Sequence, residues 1–289
     1  MSIDRLQSQI RKLKNPSAVH FCLDKSYIPS AYLERCGGVI EAYCAYAKDL
    51  LNELKDIVPA VRFAFGTFAL LGSDGVKALR ELLALANELG YYILLDLPEI
   101  TSPQEAVISA DAAYGDAGWS FDGLALSCYI GSDAVKPFLQ YMEQNDKDLF
   151  LLLRTANKSA QELQDLLTGS RLVYTAAADI AKRVGQPFVG RSGFSRVAGF
   201  GPATSVDSLQ ALRSKYPELF LLVDGYDYTG ANAKNCSYAF DKLGHGAVVC
   251  AGQSIIAAWK EDTGADCLAA AVLAAERMKK NLTRYITIL

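Results

Sequence analysis

The chain has 289 residues, with 29 basic and 32 acidic side chains for a net charge of −3, and 51% of its residues are hydrophobic. This is an ordinary globular composition, which excludes a disordered or low-complexity chain. Without blocks of Lys or Arg there is no electrostatic footprint for a nucleic-acid or anionic-membrane partner.

The opening stretch MSIDRLQSQIRKLK is amphipathic and charged throughout, with Ile3, Leu6, Ile10 and Leu13 recurring at helical spacing. That pattern predicts a helix and argues against a secretory leader, which needs an apolar run and a cleavage site. No uncharged run reaches the roughly 18 residues needed to span a bilayer. Eight short apolar runs follow, at 18–23, 60–65, 91–95, 124–128, 149–153, 197–201, 219–223 and 247–251. Most lack polar alternation, as strands covered on both faces do. Amphipathic stretches such as 75–89 and 161–167 lie between them. Eight strand-then-helix units without a linker predict a single (β/α)8 TIM barrel over residues 1–289, its base closed by the N-terminal helix. An open doubly wound sheet is the alternative.

Chemistry in such a barrel gathers at the carboxyl ends of the strands. Those positions hold Asp24, Arg62, Asp96, Ser127 with Cys128, Arg154 with Thr155, Thr204, Asp224 with Asp227, and Gly252 with Gln253. A strand emerging into water meets polar residues anyway, but five strands ending in a charge suggest a shared polar cleft. The seven cysteines form no C-x-x-C pair and read as reduced core thiols of a cytoplasmic protein. Only two histidines occur, His20 and His245, far apart in sequence. Their scarcity argues against a zinc site and against Ser-His-Asp or Cys-His catalysis. His20 reads as a core histidine, and Cys128 and Cys250 as packing residues. Tyr226 and Tyr228 either stack on a base or cover the barrel mouth. The G-x-x-x-x-G at 225–230 lacks the Lys-Ser/Thr of a P-loop and carries no weight.

The same strand ends carry a resemblance over nearly the whole chain. CLDKSYIP at 22–29, PAVRFAFGTFALLGSDGVKAL, ALSCYIGSDAVKPFL, LFLLLRTANKSAQELQDL, PATSVDSLQALRSKYPELFLLVDGYDYTGANA and GAVVCAGQSIIAAW occur in the order expected of the bacterial type II branch of the orotidine 5'-phosphate decarboxylase family. The resemblance implies a (β/α)8 barrel of pyrimidine biosynthesis that converts orotidine 5'-phosphate to uridine 5'-phosphate and CO2. It needs neither cofactor nor metal, and it works as a homodimer with sites at the two-fold interface. Carried over residue by residue, it places Asp24, Arg62, Asp96 and Glu99 at the catalytic positions. Ser127, Thr155, Thr204, Asp224, Thr229, Gly252 and Gln253 fall at ligand-binding positions.

The departures concern the chemistry itself. The family's Asp-x-Lys-x-x-Asp motif appears here as Asp96-Leu97-Pro98-Glu99, and no lysine occurs between Lys77 and Lys136. Arg62 stands at the second-strand lysine position. Proline has no proton to give, and an arginine stays charged at any useful pH. The phosphate loop Pro-Gly-x-Gly-Ala-Gln-Gly is matched by residues 224–230, Gln253 stands at the family's arginine, and no arginine lies between Arg213 and Arg277. Asp224 and Asp227 would oppose a phosphate of charge about −2. The expectation is a family member with an eroded site and little or no decarboxylation, binding at most a small molecule related to a pyrimidine nucleotide. Two alternatives remain. One is an active decarboxylase using Lys25 as acid. The other is different chemistry, with Asp24, Asp96 and Glu99 as acid/base groups or hard-metal ligands. In the simplest reading Arg62, flanked by Asp24 and Asp96, is a charge-balancing remnant.

Overall fold

The computed structural model describes residues 2–115, 118–261 and 266–289. Eight parallel strands, β1 (Ser17–Phe21), β2 (Ala60–Ala64), β3 (Tyr92–Asp96), β4 (Gly123–Ser127), β5 (Asp148–Leu152), β6 (Ser195–Pro202), β7 (Leu219–Asp224) and β8 (Ala247–Ala251), form a closed barrel. Each pairs with its sequence neighbours, and β8 closes back on β1 through Ser17 opposite Val249. Every strand thus has two partners, which excludes the open sheet. The strands are apolar on both faces because one face fills the barrel and the other meets the helices. Among the described residues, no helix is long and apolar enough to cross a membrane.

The main helices are α1 (Ser2–Leu13), α2 (Val39–Leu54), α3 (Gly72–Glu88), α4 (Pro103–Tyr114), α5 (Lys136–Gln144), α6 (Val173–Gly185), α7 (Val206–Lys215) and α8 (Cys267–Thr283). In α1, Ile3, Leu6 and Ile10 are buried, while Leu13 is only half-buried at the helix end. Its polar face is tied to the segments that enter the strands. The Gln7 Oε1 accepts from the Gly246 N–H at 3.0 Å, the Asp4 carboxylate accepts from the Ser192 N–H at 2.8 Å, and Arg5 pairs with Asp122. Those partners precede β8, β6 and β4, so α1 closes the amino-end base of the barrel.

The expected helix at 161–167 does not form. A 3-10 turn spans Lys158–Glu162, and the chain then makes a short antiparallel ladder of Leu167–Thr168 with Arg171–Leu172. The cause is the pull of the β5 end on this segment. Asp165 takes two hydrogen bonds of 2.7 Å from Arg154, and the Gln164 Oε1 accepts from the Thr155 N–H and hydroxyl at 2.8 and 3.0 Å. Leu163, Leu166 and Leu167 are left exposed, so their spacing marks no buried helix face.

Inside the base, Tyr92, Phe150 and Phe220 from β3, β5 and β7 meet edge to face, with centroids 6.4 Å apart at each contact. Alternate strands supply such an interior layer in these barrels. Beneath it Asp148, with no exposed surface, accepts from the Tyr92 hydroxyl at 2.7 Å and lies 3.5 Å from the Arg196 Nε. Burial lifts its pKa from 3.8 to about 7, outweighing the hydrogen bond from Tyr92 and the charge of Arg196. A carboxyl raised in the folded state favours folding most below its unfolded pKa, and that contribution fades as pH rises through the folded value. The shift corresponds to on the order of 4 kcal/mol. Asp148→Asn is therefore expected to flatten the fall in stability between about pH 4 and pH 8, read as urea midpoints across that range.

Candidate functional site

Side chains alternate in direction along a strand, so Arg62 shares the barrel interior with Ala60, Asp96 with Tyr92 and Leu94, and Asp224 with Phe220 and Leu222. Register places His20 beside Arg62 on β1 and β2 and Ala64 beside Asp96 on β2 and β3. At the carboxyl-end mouth the Arg62 Nε donates to both oxygens of Asp96, at 2.8 and 3.0 Å. Its Nη1 lies 3.2 Å from the Asp224 Oδ1, an ion pair less well aligned than that to Asp96, and the guanidinium also lies against the Cys250 thiol. The guanidinium carbon sits 4.8 Å from the centroid of Phe200. Arg62 is 9% exposed.

Burial opposes the charge on Arg62, but Asp96 and Asp224 outweigh it and hold the guanidinium protonated. Burial likewise pushes the Asp224 carboxyl up, and Arg62 more than reverses that push, so it is ionised. His20 behaves oppositely. Burial and the nearby charge of Arg62 lower its pKa to about 4 against the pull of Asp96, Asp224 and Asp227, leaving a neutral imidazole at neutral pH. Its Nε2 lies 3.3 Å from the Cys22 Sγ and 3.7 Å from an oxygen of Asp96. Burial lifts the Cys22 thiol to about 11 and moves the Cys250 thiol upward as well.

The mouth divides into two hollows that share Asp224. One, of about 230 Å³, is lined by Arg62, Asp96, Glu99, Ser127, Thr155 and Phe200 among others. The second, of about 240 Å³, is lined by His20, Cys22, Tyr27, Asp227, Cys250 and Gly252, with Gln253 at its rim. Several sequence-derived positions thus meet, and others do not. Asp24 is the main correction. β1 ends at Phe21, and Asp24 instead caps the turn Lys25–Tyr27, accepting from the Ser26 N–H at 2.7 Å while exposed to solvent. Its place beside Arg62 is taken by Asp224. Thr204 and Thr229 line a separate hollow of about 660 Å³ with Arg154 and Tyr174, and the Thr204 hydroxyl donates to the Ala156 carbonyl at 2.7 Å. The Thr155 hydroxyl is likewise engaged by Gln164.

Gly252 is among the expected ligand-binding positions. Its N–H instead donates to the Asp227 Oδ2 at 2.7 Å. The reach of Asp227 comes from Gly225, whose φ of +80° and 2.2 Å clearance from the Ala156 Cβ at the Cβ position leave no room for a side chain. The Tyr228 N–H returns to the Gly225 carbonyl at 3.0 Å, folding the loop over the mouth. Sequence reasoning set aside His20 and Cys250 as packing residues and did not single out Cys22 or Phe200. The available signal was period two on β1 and β8, which turns His20 and Cys250 toward the same interior. Cys128 does behave as a packing residue, buried and directed at the Leu152 carbonyl at 3.6 Å.

No family model matches the chain. The chain is 27% identical over 267 residues to the orotidine 5'-phosphate decarboxylase of Clostridium acetobutylicum, covering 91% of both. It is 28% identical over 245 residues to the corresponding protein of Rhodopirellula baltica, covering 83% of this chain and 81% of that one. The solved structure of Leishmania donovani OMP decarboxylase superposes with a TM-score of 0.73 at 23% identity, over 98% of this chain and 99% of the other, a likeness of fold.

Removing the charge at Arg62 strands two carboxylates in the mouth, and breaking a buried pair in this way costs about 3–5 kcal/mol. Arg62→Met is expected to lose stability in that range. Asp96→Asn should cost more than Asp224→Asn, because Asp96 alone accepts well-aligned hydrogen bonds from Arg62. Equal losses for the two asparagine variants in chemical denaturation would contradict this division of roles.

Proposed function

The chain belongs to the orotidine 5'-phosphate decarboxylase family, and from that premise we propose a member that no longer decarboxylates orotidine 5'-phosphate and keeps its barrel mouth for a different small molecule. The observation that carries this reading is the charge of the mouth. Among the described residues, Arg62 is the single Lys or Arg lining its two hollows, against Asp96, Glu99, Asp224 and Asp227. Loss of CO2 from a pyrimidine leaves a carbanion that must be protonated, and a guanidinium locked between two carboxylates is a poor acid. Pro98, at the position of the family's lysine, is exposed and offers no proton. Lys25, the alternative acid, is exposed in the turn Lys25–Tyr27 and lines neither hollow.

The phosphate end supports the same conclusion. Asp227 already supplies an anion to the Gly252 N–H, so an incoming phosphate would have to displace a carboxylate of its own sign. Gln253, at the family's arginine position, is exposed and brings no charge. We place this protein in the cytoplasm as a homodimer, on the family resemblance. The segment that follows the β3 motif is retained, with Ile100 buried and the Ser102 hydroxyl capping α4. Sedimentation is expected to show a dimer at micromolar concentration, and a monomer alone would remove this part of the proposal.

Turnover of orotidine 5'-phosphate is expected to be absent or lower by many orders of magnitude than in a family member with its lysine intact. Loss of a positioned general acid alone costs roughly 10² to 10⁴ in rate, and the electrostatic preorganisation that usually dominates is lost with it. A rate near that of a typical enzyme, about 10 s⁻¹, would refute the proposal. Calorimetry with uridine 5'-phosphate is expected to show no saturable binding below about millimolar. Charge-assisted phosphate contacts contribute on the order of 1.5 to 3 kcal/mol each, so the double change Asp227→Ala with Gln253→Arg should recover part of the affinity. A micromolar dissociation constant in the unaltered protein would show that the phosphate has another grip.

A further inference from the structure

We propose that the mouth holds a zinc-like divalent cation through His20, Asp224 and Cys250. One donor atom from each residue lies within 4.8 Å of the other two. Zinc binds nitrogen and oxygen at about 2.0–2.2 Å and sulfur at about 2.3 Å in tetrahedral geometry, so its ligands stand roughly 3.3–3.8 Å from one another. A contraction of about 1 Å, within the range of side-chain rotation, completes the set. The three residues come from β1, β7 and β8, which are successive around the closed barrel, so the donors are held on rigid neighbouring strands and not on a loop. Imidazole, thiol and carboxylate together favour zinc over magnesium or calcium, which prefer oxygen alone. Cys22, with its sulfur 3.3 Å from the His20 Nε2, adds a second soft group at the same rim.

The main objection is Arg62, a fixed positive charge at the same mouth. Its geometry answers the objection. Arg62 is anchored by two aligned hydrogen bonds to Asp96, whereas its hold on Asp224 is a looser contact at 3.2 Å, and where it lies against Cys250 its charge favours the thiolate that a metal needs. Asp224 is therefore the arm that can turn to a metal while Asp96 keeps the guanidinium in place. Asp96, Asp224 and Asp227 together exceed the charge of Arg62, so the mouth carries a net negative charge that a divalent cation would neutralise. Three protein donors opening onto the hollow of about 240 Å³ match zinc sites in which three protein ligands leave a fourth position for water or substrate. Uptake would release the Cys250 thiol proton to solvent as the thiolate binds. The inference is independent of whether decarboxylation is lost.

The test is titration of the metal-stripped full chain with Co2+ as an optical stand-in. The expected result is one equivalent bound with a thiolate-to-cobalt charge-transfer band, displaced by Zn2+, together with a rise in the melting temperature on zinc addition. Cys250→Ser should abolish the band. Because Cys250 is buried and its replacement can disturb folding, His20→Gln and Asp224→Asn, both half-buried, provide the second measurement, and each should weaken binding at least about 10-fold. Absence of a band in the unaltered chain would overturn the proposal. So would an unchanged band and affinity in His20→Gln and Asp224→Asn, which would assign the metal to another thiol such as Cys36 or Cys267.

Discussion

A guanidinium that is almost wholly buried must be answered by carboxylates at close range, and Arg62 imposes that demand at the centre of the barrel mouth. Asp96 from β3 and Asp224 from β7 meet it from opposite sides of the interior. Other features of the site follow from this triad. Neighbouring His20 stays neutral because it is desolvated beside a permanent cation. The two hollows of the mouth meet at Asp224, with Arg62 on the side of one of them. A lysine at the same point would hold a transferable proton, whereas an arginine fixes charge and shape without offering one.

The barrel was legible from the sequence because closure requires nothing beyond eight apolar runs with amphipathic stretches between them, and the observed strands depart from those runs by at most two residues at either end. Asp96 and Asp224 were legible because each ends an apolar run at an inward position, and Arg62 because it is the one charge inside another such run. Asp24 was not. It ends an apolar run too, but a short polar side chain can satisfy its local backbone, and the bond to the Ser26 N–H won over a place in the interior. The segment at 161–167 failed similarly, because Gln164 and Asp165 are committed to the end of β5, an attachment that periodicity does not record.

The hold of Asp227 on Gly252 lay further out of reach. It depends on a left-handed turn at Gly225 that brings one loop over another, and no spacing rule links residues from the β7 and β8 loops. The proximity of His20 and Cys250 was hidden for a topological reason. They stand near opposite ends of the chain, and linear distance counted against a shared site. In a closed barrel the first and last strands are neighbours, as Ala18 opposite Cys250 shows, so the largest sequence separation coincides with one of the shortest spatial ones.

The fold is secured at the end opposite the mouth. At the base, α1 ties down the approaches to β4, β6 and β8, the aromatic layer of Tyr92, Phe150 and Phe220 fills the interior, and Arg196 donates to the Met142 and Lys147 carbonyls at 2.7 and 2.6 Å. None of these contacts reaches the mouth. Substitutions at the carboxyl ends of the strands can therefore accumulate without reducing the stability that the base provides, which is the division between scaffold and site expected of this architecture. That separation lets the barrel be kept over nearly the whole chain whichever residues stand at the carboxyl ends of its strands.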